Sequence, residues 1–448
     1  MNELTGRKVM RKEVPEGIDF STAIRFPAMK IEAETVCCKR CGSVHSLDEA
    51  NLGGNRYFCP ACIQLGRVDT EEYFYHVPEM RATRRRVLFG WRGTLTAGQQ
   101  NASDWLRSVA AEKKKGMIWA VTGAGKTEML FETIYTSLSR GERVGFASPR
   151  VDVCLELYPR LKAVFPEEEL SLLYGDSEET YRYTKFVLCT THQLLRFYQA
   201  FDVLIIDEVD AFPYVNEPFL QYAAEHAVKT SAALIYLTAT PTKQLLQQVK
   251  TGQLGLTVLP ARYHRRKLPV PKLKGCFYWR KKLEQKKLPK PLVRCIHTLM
   301  KKNDVLLFCP SIAVLNNFYE LLTTQLSDIP VASVHSKDEE RTEKVMQMRE
   351  KKFRLFLTTT ILERGVTFDR ISVIVIGAEH SVFSESVLVQ IAGRVDRKNQ
   401  YTNGEVWFLH DGKTDQIKQA VSQIKKMNRL AEERGLVDEL RVLQSENK

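Results

Sequence analysis

Short, continuous apolar runs rich in β-branched residues punctuate the middle of the chain, at Met117–Val121, Arg143–Ser148, Lys185–Thr190, Phe201–Ile206 and Ala232–Thr238. Longer stretches of mixed polarity separate them. Runs apolar throughout, spaced by helical lengths, predict parallel strands covered on both faces, that is, an α/β domain. A second series follows at Val305–Cys309, Arg354–Thr359, Ile371–Ile376 and Glu405–Leu409. Between the two lie Ala261–Lys274 and Tyr278–Lys282, rich in proline and basic residues, which read as a linker. Near the end, Ile417, Ala420, Val421, Ile424, Met427 and Ala431 share one helical face, predicting an amphipathic helix whose default role is docking on the second domain and whose alternative is a partner surface. The expected division is an N-terminal segment over 1–75, a first α/β domain over 76–258, a basic linker over 259–285 and a second α/β domain with its terminal helix over 286–448.

Composition sharpens the picture. The 448 residues carry a formal net charge of +13. Clustered Lys and Arg gain affinity for polyanions by releasing counterions from phosphates, so nucleic acid is the favoured partner class, with ribosomal or anionic-membrane contact as the alternatives. The first residues hold no apolar core of the kind a signal peptide needs, and no run approaches the ~18 apolar residues of a membrane span. A cytoplasmic location is expected.

The ten cysteines fall into two sets. Cys154, Cys189, Cys276, Cys295 and Cys309 are scattered, and Cys189 and Cys309 sit in strand-like runs where a reduced thiol packs as a small hydrophobe. The others cluster as Cys38-Lys-Arg-Cys41 and Cys59-Pro-Ala-Cys62, with Cys37 adjacent. Two such knuckles place four thiolates tetrahedrally around zinc, and in a segment poor in apolar residues the metal supplies folding energy that a core cannot. The expected ligands are Cys38, Cys41, Cys59 and Cys62. Cys37 and His45 are alternative ligands, but the CxxC spacing favours Cys38, and His45 is expected on the surface. Four sulfurs close the shell, so the zinc is expected to be structural.

Ala120–Thr127 reads AVTGAGKT and joins the strand-like MIWAV to the helix-like EMLFETIYTSL. Gly123 and Gly125 let the backbone wrap a phosphate, and the helix that follows presents its N-terminal NH groups to the anion. Lys126 then reaches the β- and γ-phosphates of ATP and Thr127 binds Mg²⁺, with Thr122, Gly123, Ala124 and Gly125 lining the loop. Ala120 stands where the usual pattern has its first glycine. Val203–Asp210 reads VLIIDEVD. Asp207 at the strand end suits a magnesium site, and Glu208 suits orientation or deprotonation of the attacking water.

Further segments follow in order: ASPR at Ala147–Arg150, TTHQ at Thr190–Gln193, Thr238-Ala-Thr240, FCPS at Phe308–Ser311, TTTILERGVTF from Thr358, and QIAGRVDR at Gln390–Arg397. This set resembles the superfamily 2 helicases, which implies two RecA-like P-loop domains with parallel sheets, preceded here by the four-cysteine module. LTAGQ at Leu95–Gln99 and TATP at Thr238–Pro241 resemble the PriA and ComFA families, and the cysteines ahead of the motor resemble ComFA.

The resemblance implies roles residue by residue. Arg394 and Arg397 would reach from the second domain to the γ-phosphate, with Gln390 lining the same cleft, so that hydrolysis follows opening and closing of the halves. Gln99 would contact adenine, and Thr238 and Thr240 would couple hydrolysis to the strand. Pro149, Arg150, Thr191, His192, Ser311, Thr359 and Thr360 would line the phosphate track of a single strand, which reads polarity more than bases. Gly365-Val-Thr367 departs from the ending familiar in DEAD-box RNA enzymes, as do DEVD and TAT, which weighs against an RNA helicase. Phe277, Tyr278 and Trp279 beside Arg280–Lys282 suit either base stacking or, as the commoner role, seating of the second domain.

The expected function is an ATP-dependent single-stranded DNA translocase acting in natural competence, using ATP, Mg²⁺ and Zn²⁺. The resemblance implies work at the inner face of the cytoplasmic membrane with the channel protein ComEC, the companion ComFC and the recombination mediator DprA. The alternatives are a duplex-unwinding helicase of PriA type, an RNA helicase, and a zinc-dependent nucleic-acid clamp or scaffold in which ATP only switches affinity.

Overall fold

A computed structural model describes residues 2–80, 82–175, 181–362, 368–397 and 403–438. The chain forms two units, one of Met1–Trp119 with Lys126–Val258, the other of Ala120–Gly125 with the residues from Leu259 on. Each is built on a largely parallel sheet with helices between successive strands.

The first unit's sheet has seven strands in the order Leu170–Leu173, Phe186–Thr190, Val144–Ser148, Phe201–Ile206, Val228–Thr238, Lys115–Ala120 and Gly255–Leu259. The pairings from Leu170–Leu173 through to Lys115–Ala120 are all parallel. Val144–Ser148 and Phe186–Thr190 are buried at every position, as strands covered on both faces must be. Parallel strands end on one edge, and the candidate catalytic segments leave from that carboxyl edge.

Ahead of this sheet lies a small antiparallel module. It contains a three-stranded sheet of Val9–Met10, Tyr73–His76 and Ile24–Pro27, another of Met29–Glu32, Thr35–Cys38 and Val44–Ser46, and a hairpin of Asn51–Gly53 with Arg56–Tyr57. The module is no separate bead. One continuous core runs from Val36, Cys38, Cys59, Cys62 and Phe74 into Leu194, Phe197, Leu204 and Leu220 of the α/β part. Buried Arg143 fastens the joint: it pairs with buried Glu79 at 2.8 Å and donates to the Thr5 carbonyl at 3.2 Å, the Thr184 carbonyl at 3.0 Å and the Tyr181 hydroxyl at 2.7 Å. Removing one partner of such a pair costs about 3–5 kcal/mol, because the other charge is left buried.

The second unit's sheet runs Lys272–Gly275, Val406–His410, Ile371–Ile376, Asp304–Phe308, Leu355–Thr358, Val331–Val334, parallel throughout. Residues 259–285, read from the sequence as a linker, therefore hold an edge strand of this sheet and the helix Trp279–Glu284. Trp279 is 1% exposed, stacks on Phe318 and donates its indole NH to Glu379 at 2.9 Å, so it seats this unit. Phe277 and Tyr278 stay 60% and 71% exposed.

The terminal helix spans Asp415–Glu433 and buries Ile417, Ala420, Ile424, Met427 and Ala431, as its periodicity predicts. Val421 is only half-buried. The helix packs on Glu385–Ala392, and its Asn428 amide exchanges hydrogen bonds with the Leu268 backbone at 2.8 and 2.9 Å. No helix among the described residues is long and apolar enough to cross a membrane.

Candidate nucleotide, strand and metal sites

In the first unit the helix Lys126–Ser139 starts at the lysine of the glycine-rich loop, so its first free NH groups face the loop. Gly123 and Gly125 have φ of +82° and +74°, which a side chain would strain. The Lys126 ammonium lies 3.3 Å from Asp207 Oδ1, bringing the loop lysine and the proposed magnesium carboxylate together. Thr127, on the first turn, is half-buried. Glu208 sits at φ +53°, outside the region favoured for a glutamate, and its NH donates to Asp207 Oδ1 at 2.8 Å. Holding a non-glycine residue there costs about 1–3 kcal/mol, which a fold sustains mainly at functional positions. The donor set suits Mg²⁺-ATP: a hard carboxylate and a hydroxyl for the cation, an ammonium and helix NH groups for the phosphates.

Asp210 links two motifs. One of its oxygens accepts from the Thr238 hydroxyl at 2.7 Å and the other from the Thr240 hydroxyl at 2.6 Å, all three residues being buried. Gln99 caps the helix Ala97–Ala111: its carbonyl oxygen accepts from the Thr96 NH at 2.9 Å, and the Thr96 hydroxyl accepts from the Gln99 NH at 3.4 Å. This capping box fixes the side chain that the resemblance assigns to adenine.

The residues of this unit that the resemblance assigns to strand contact follow the same carboxyl edge. Pro149 is buried, and Arg150 is engaged by Asp152 through two hydrogen bonds of 3.0 and 2.8 Å. Thr191 is fully buried, so its side chain has no surface to offer a strand; the short helix it opens turns it into the core. That corrects the expectation for its side chain. His192 beside it is half-exposed, and burial lowers its pKa from 6.5, so it is a neutral hydrogen-bonding group near pH 7.

In the second unit, Ser311 caps the helix Ile312–Gln325 by accepting from the Val314 NH at 3.2 Å, while Thr359 and Thr360 are half-exposed at a strand end. Glu363–Thr367 lie outside the described residues, and with them the Gly365–Thr367 departure noted in the sequence. Gln390 and Arg394 are buried on and just after the helix Glu385–Ala392, and Arg397 is half-exposed. Gln390 Oε1 accepts from the Thr122 hydroxyl at 3.2 Å, and a Cβ on Gly393 would come within 2.5 Å of Thr122, so only glycine permits this approach.

Sequence reading passed over Arg262. It is 1% exposed, donates to the carbonyls of Val395 and Asp396 at 2.8 Å each and Gly393 at 3.2 Å, and burial lowers its pKa to about 9. It clasps the turn carrying Arg394 and Arg397. Its place in the run ARYHRRK made it look like linker charge.

The metal knuckles come together as their spacing predicts. The sulfurs of Cys38, Cys41, Cys59 and Cys62 all lie within 4.8 Å of one another and are buried, with Cys38–Cys62 at 3.8 Å and Cys41–Cys59 at 3.5 Å. Zinc–sulfur bonds of about 2.3 Å imply a tetrahedral edge of about 3.8 Å, so the set is a plausible zinc site. Cys37 is outside the cluster. His45 is half-buried, not fully at the surface as expected, with Nε2 3.5 Å from the Cys59 sulfur, where an outer-shell partner stands.

Comparison with known proteins completes the picture. Residues 92–243 match the family described as "Type III restriction enzyme, res subunit", and 288–399 match "Helicase conserved C-terminal domain". A protein of Bacillus subtilis (strain 168) named Competence protein ComFA is 43% identical over 88% of this chain and 86% of its own length. Another of the same name from Streptococcus pneumoniae is 39% identical over 95% and 98%.

The chain belongs to the ComFA family.

It is thereby a helicase-type ATPase of superfamily 2. A solved structure titled "S. cerevisiae Dbp5 bound to RNA and ADP BeF3" superposes with a TM-score of 0.52 at 14% identity, covering 74% of this chain and 91% of that one. At that identity the likeness shows the RecA-like fold alone.

Proposed function

We propose that this ComFA-family ATPase is a single-stranded DNA translocase that drives uptake of transforming DNA into the cytoplasm. The observation that carries the reading is the pair of links inside the first unit: Lys126 with Asp207, and Asp210 with Thr238 and Thr240. Asp207–Asp210 thus touches both the loop lysine and Thr238–Thr240, which supports a reading in which phosphate contact and the coupling threonines communicate through one short segment. Bound Mg²⁺-ATP supplies the phosphoryl group and the cation's charge. Lys126 would neutralise the phosphate oxygens, Thr127 and Asp207 would hold the cation, and Glu208 would orient the attacking water and take its proton. Arg394 and Arg397, positioned by Arg262, would stabilise charge on the γ-phosphoryl group as it passes to water. Arg150, His192, Ser311, Thr359 and Thr360 contact the strand, Thr191 doing so through its backbone. The net charge of +13 supports a polyanionic track.

The four cysteines hold a structural zinc. The names of the relatives support a competence role, and we assign the protein to the inner face of the membrane, working with ComEC, ComFC and DprA. Steady-state ATP hydrolysis tests the reading. Single-stranded DNA is expected to stimulate turnover well above duplex DNA or RNA, with Lys126→Ala and Glu208→Gln both inactive. Stimulation by RNA instead moves the assignment to an RNA helicase, and tight nucleotide-dependent binding without turnover moves it to a clamp.

A further inference from the structure

Lys8 is 2% exposed, and no carboxylate pairs with it among the described residues. An ammonium taken out of water without a counter-charge is costly, so its surroundings ask for an explanation. Its Nζ donates to the carbonyls of Lys39 at 2.6 Å and Arg40 at 3.1 Å, the two residues between Cys38 and Cys41. Three rings surround it at 5.7–6.0 Å: Phe74 of the cysteine module, and Tyr198 and Tyr222 of the α/β part. Four thiolates around a divalent ion leave a charge of −2 in the same core. A zinc-loaded knuckle would supply the counter-charge that Lys8 lacks.

The backbone of Lys8 points the other way. Its NH donates to the Arg196 carbonyl at 2.8 Å, Arg7 bridges Phe197, and the Tyr198 NH donates to the Gly6 carbonyl at 3.0 Å. These bonds hold the end of the short helix Thr191–Arg196, which carries His192. Tyr222 belongs to the helix Pro218–Ala227 that packs on the same segment, and a Cβ on Gly42 would lie 2.4 Å from its ring. The knuckle and the strand-contacting segment therefore meet at one residue.

We propose that Lys8 is a positioning residue joining the metal knuckle to Thr191–Arg196, so that metal occupancy sets the placement of His192 toward a single DNA strand. The proposal rests on the zinc and strand readings above and adds the link between them. Without metal, the knuckle carbonyls are free to turn away, the ammonium loses its counter-charge, and the backbone bonds to Arg196 and Tyr198 loosen with it. Lysine suits the task because one compact charge satisfies two carbonyls and three ring faces.

The test uses the full chain as wild type and as Lys8→Met, which keeps the bulk and removes the charge. Zinc release to a chromophoric chelator and nucleotide-free affinity for a labelled single-stranded oligonucleotide are read on the same preparations. Lys8→Met is expected to release zinc roughly 10-fold faster or more, the usual scale for losing an outer-shell partner. Its strand affinity is expected to fall in step and to return toward wild type in saturating zinc, with the same circular dichroism spectrum and urea midpoint before and after zinc is added, which excludes a rescue by simple restabilisation. A Lys8→Met protein that keeps its zinc as long as wild type, or whose lost affinity zinc does not restore, overturns the proposal. If Lys8→Met fails to fold, Tyr222→Leu removes one ring face without stranding the charge; faster zinc release is expected, and an unchanged rate overturns the proposal. A wild type that binds no single strand sinks the strand reading and the coupling, leaving the release rate to show whether Lys8 holds the knuckle. A wild type purified without chelators and free of zinc overturns both the zinc reading and the link.

Discussion

Burial of individual polar side chains decides what several of the site residues can do. His264, 3.1 Å from the Asp396 carbonyl, has its pKa lowered to about 4 by burial and by Arg262 nearby. His76, His192 and His410 are shifted in the same direction by burial. The fold keeps these imidazoles neutral, so above pH 6.5 their contribution is constant. As pH falls from 6.5 toward 4, the unfolded chain takes up protons that the folded chain refuses, and stability drops. Urea unfolding is expected to show a lower midpoint at pH 5 than at pH 7.5, with His264→Gln narrowing the gap; an equal gap in that variant removes His264 from the account. The residues whose chemistry rests on type and spacing were legible before the fold was known: Lys126, Asp207 and the four cysteines come together as read. Thr191 and Arg262 were not, because whether a threonine faces in or an arginine is buried depends on partners distant in the chain.

At the scale of elements, the strands found from the apolar pattern are those inside the two sheets. The four that escaped, Leu170–Leu173, Gly255–Leu259, Lys272–Gly275 and Val331–Val334, are the four edges. An edge strand is covered less and carries no continuous apolar run, and Lys272–Gly275 shows no buried position at all. That strand and the helix after it hid inside a stretch whose prolines and charges read as linker. Arg262, just ahead of it, holds the turn after the helix Glu385–Ala392 through three carbonyls. Arg262→Met is expected to lower kcat roughly 10- to 100-fold, the scale set by small misplacements of catalytic groups, with ATP affinity much less changed. Single-turnover hydrolysis with unaltered circular dichroism checks this. An unchanged kcat would separate Arg262 from the chemistry.

For the whole molecule, the unexpected feature is that the cysteine module and the first α/β sheet share a core. The two cysteine knuckles set residues 1–75 apart in the sequence as a metal-holding module ahead of the first α/β domain. The buried Arg143–Glu79 pair and the Lys8 cage make the module part of the first unit's foundation, and no local pattern reveals contacts between residues so far apart in sequence. Two RecA-like units, a positive chain and the proposed strand-contacting segment Thr191–Arg196 all bear on the proposal that hydrolysis moves the protein along a single strand. The most direct measurement is displacement of streptavidin from the end of a biotinylated single-stranded oligonucleotide. Displacement from one end only, requiring ATP and absent in Lys126→Ala, is the predicted result. Strand-stimulated hydrolysis with no displacement from either end would contradict the account and identify a clamp whose ATP cycle only changes its grip.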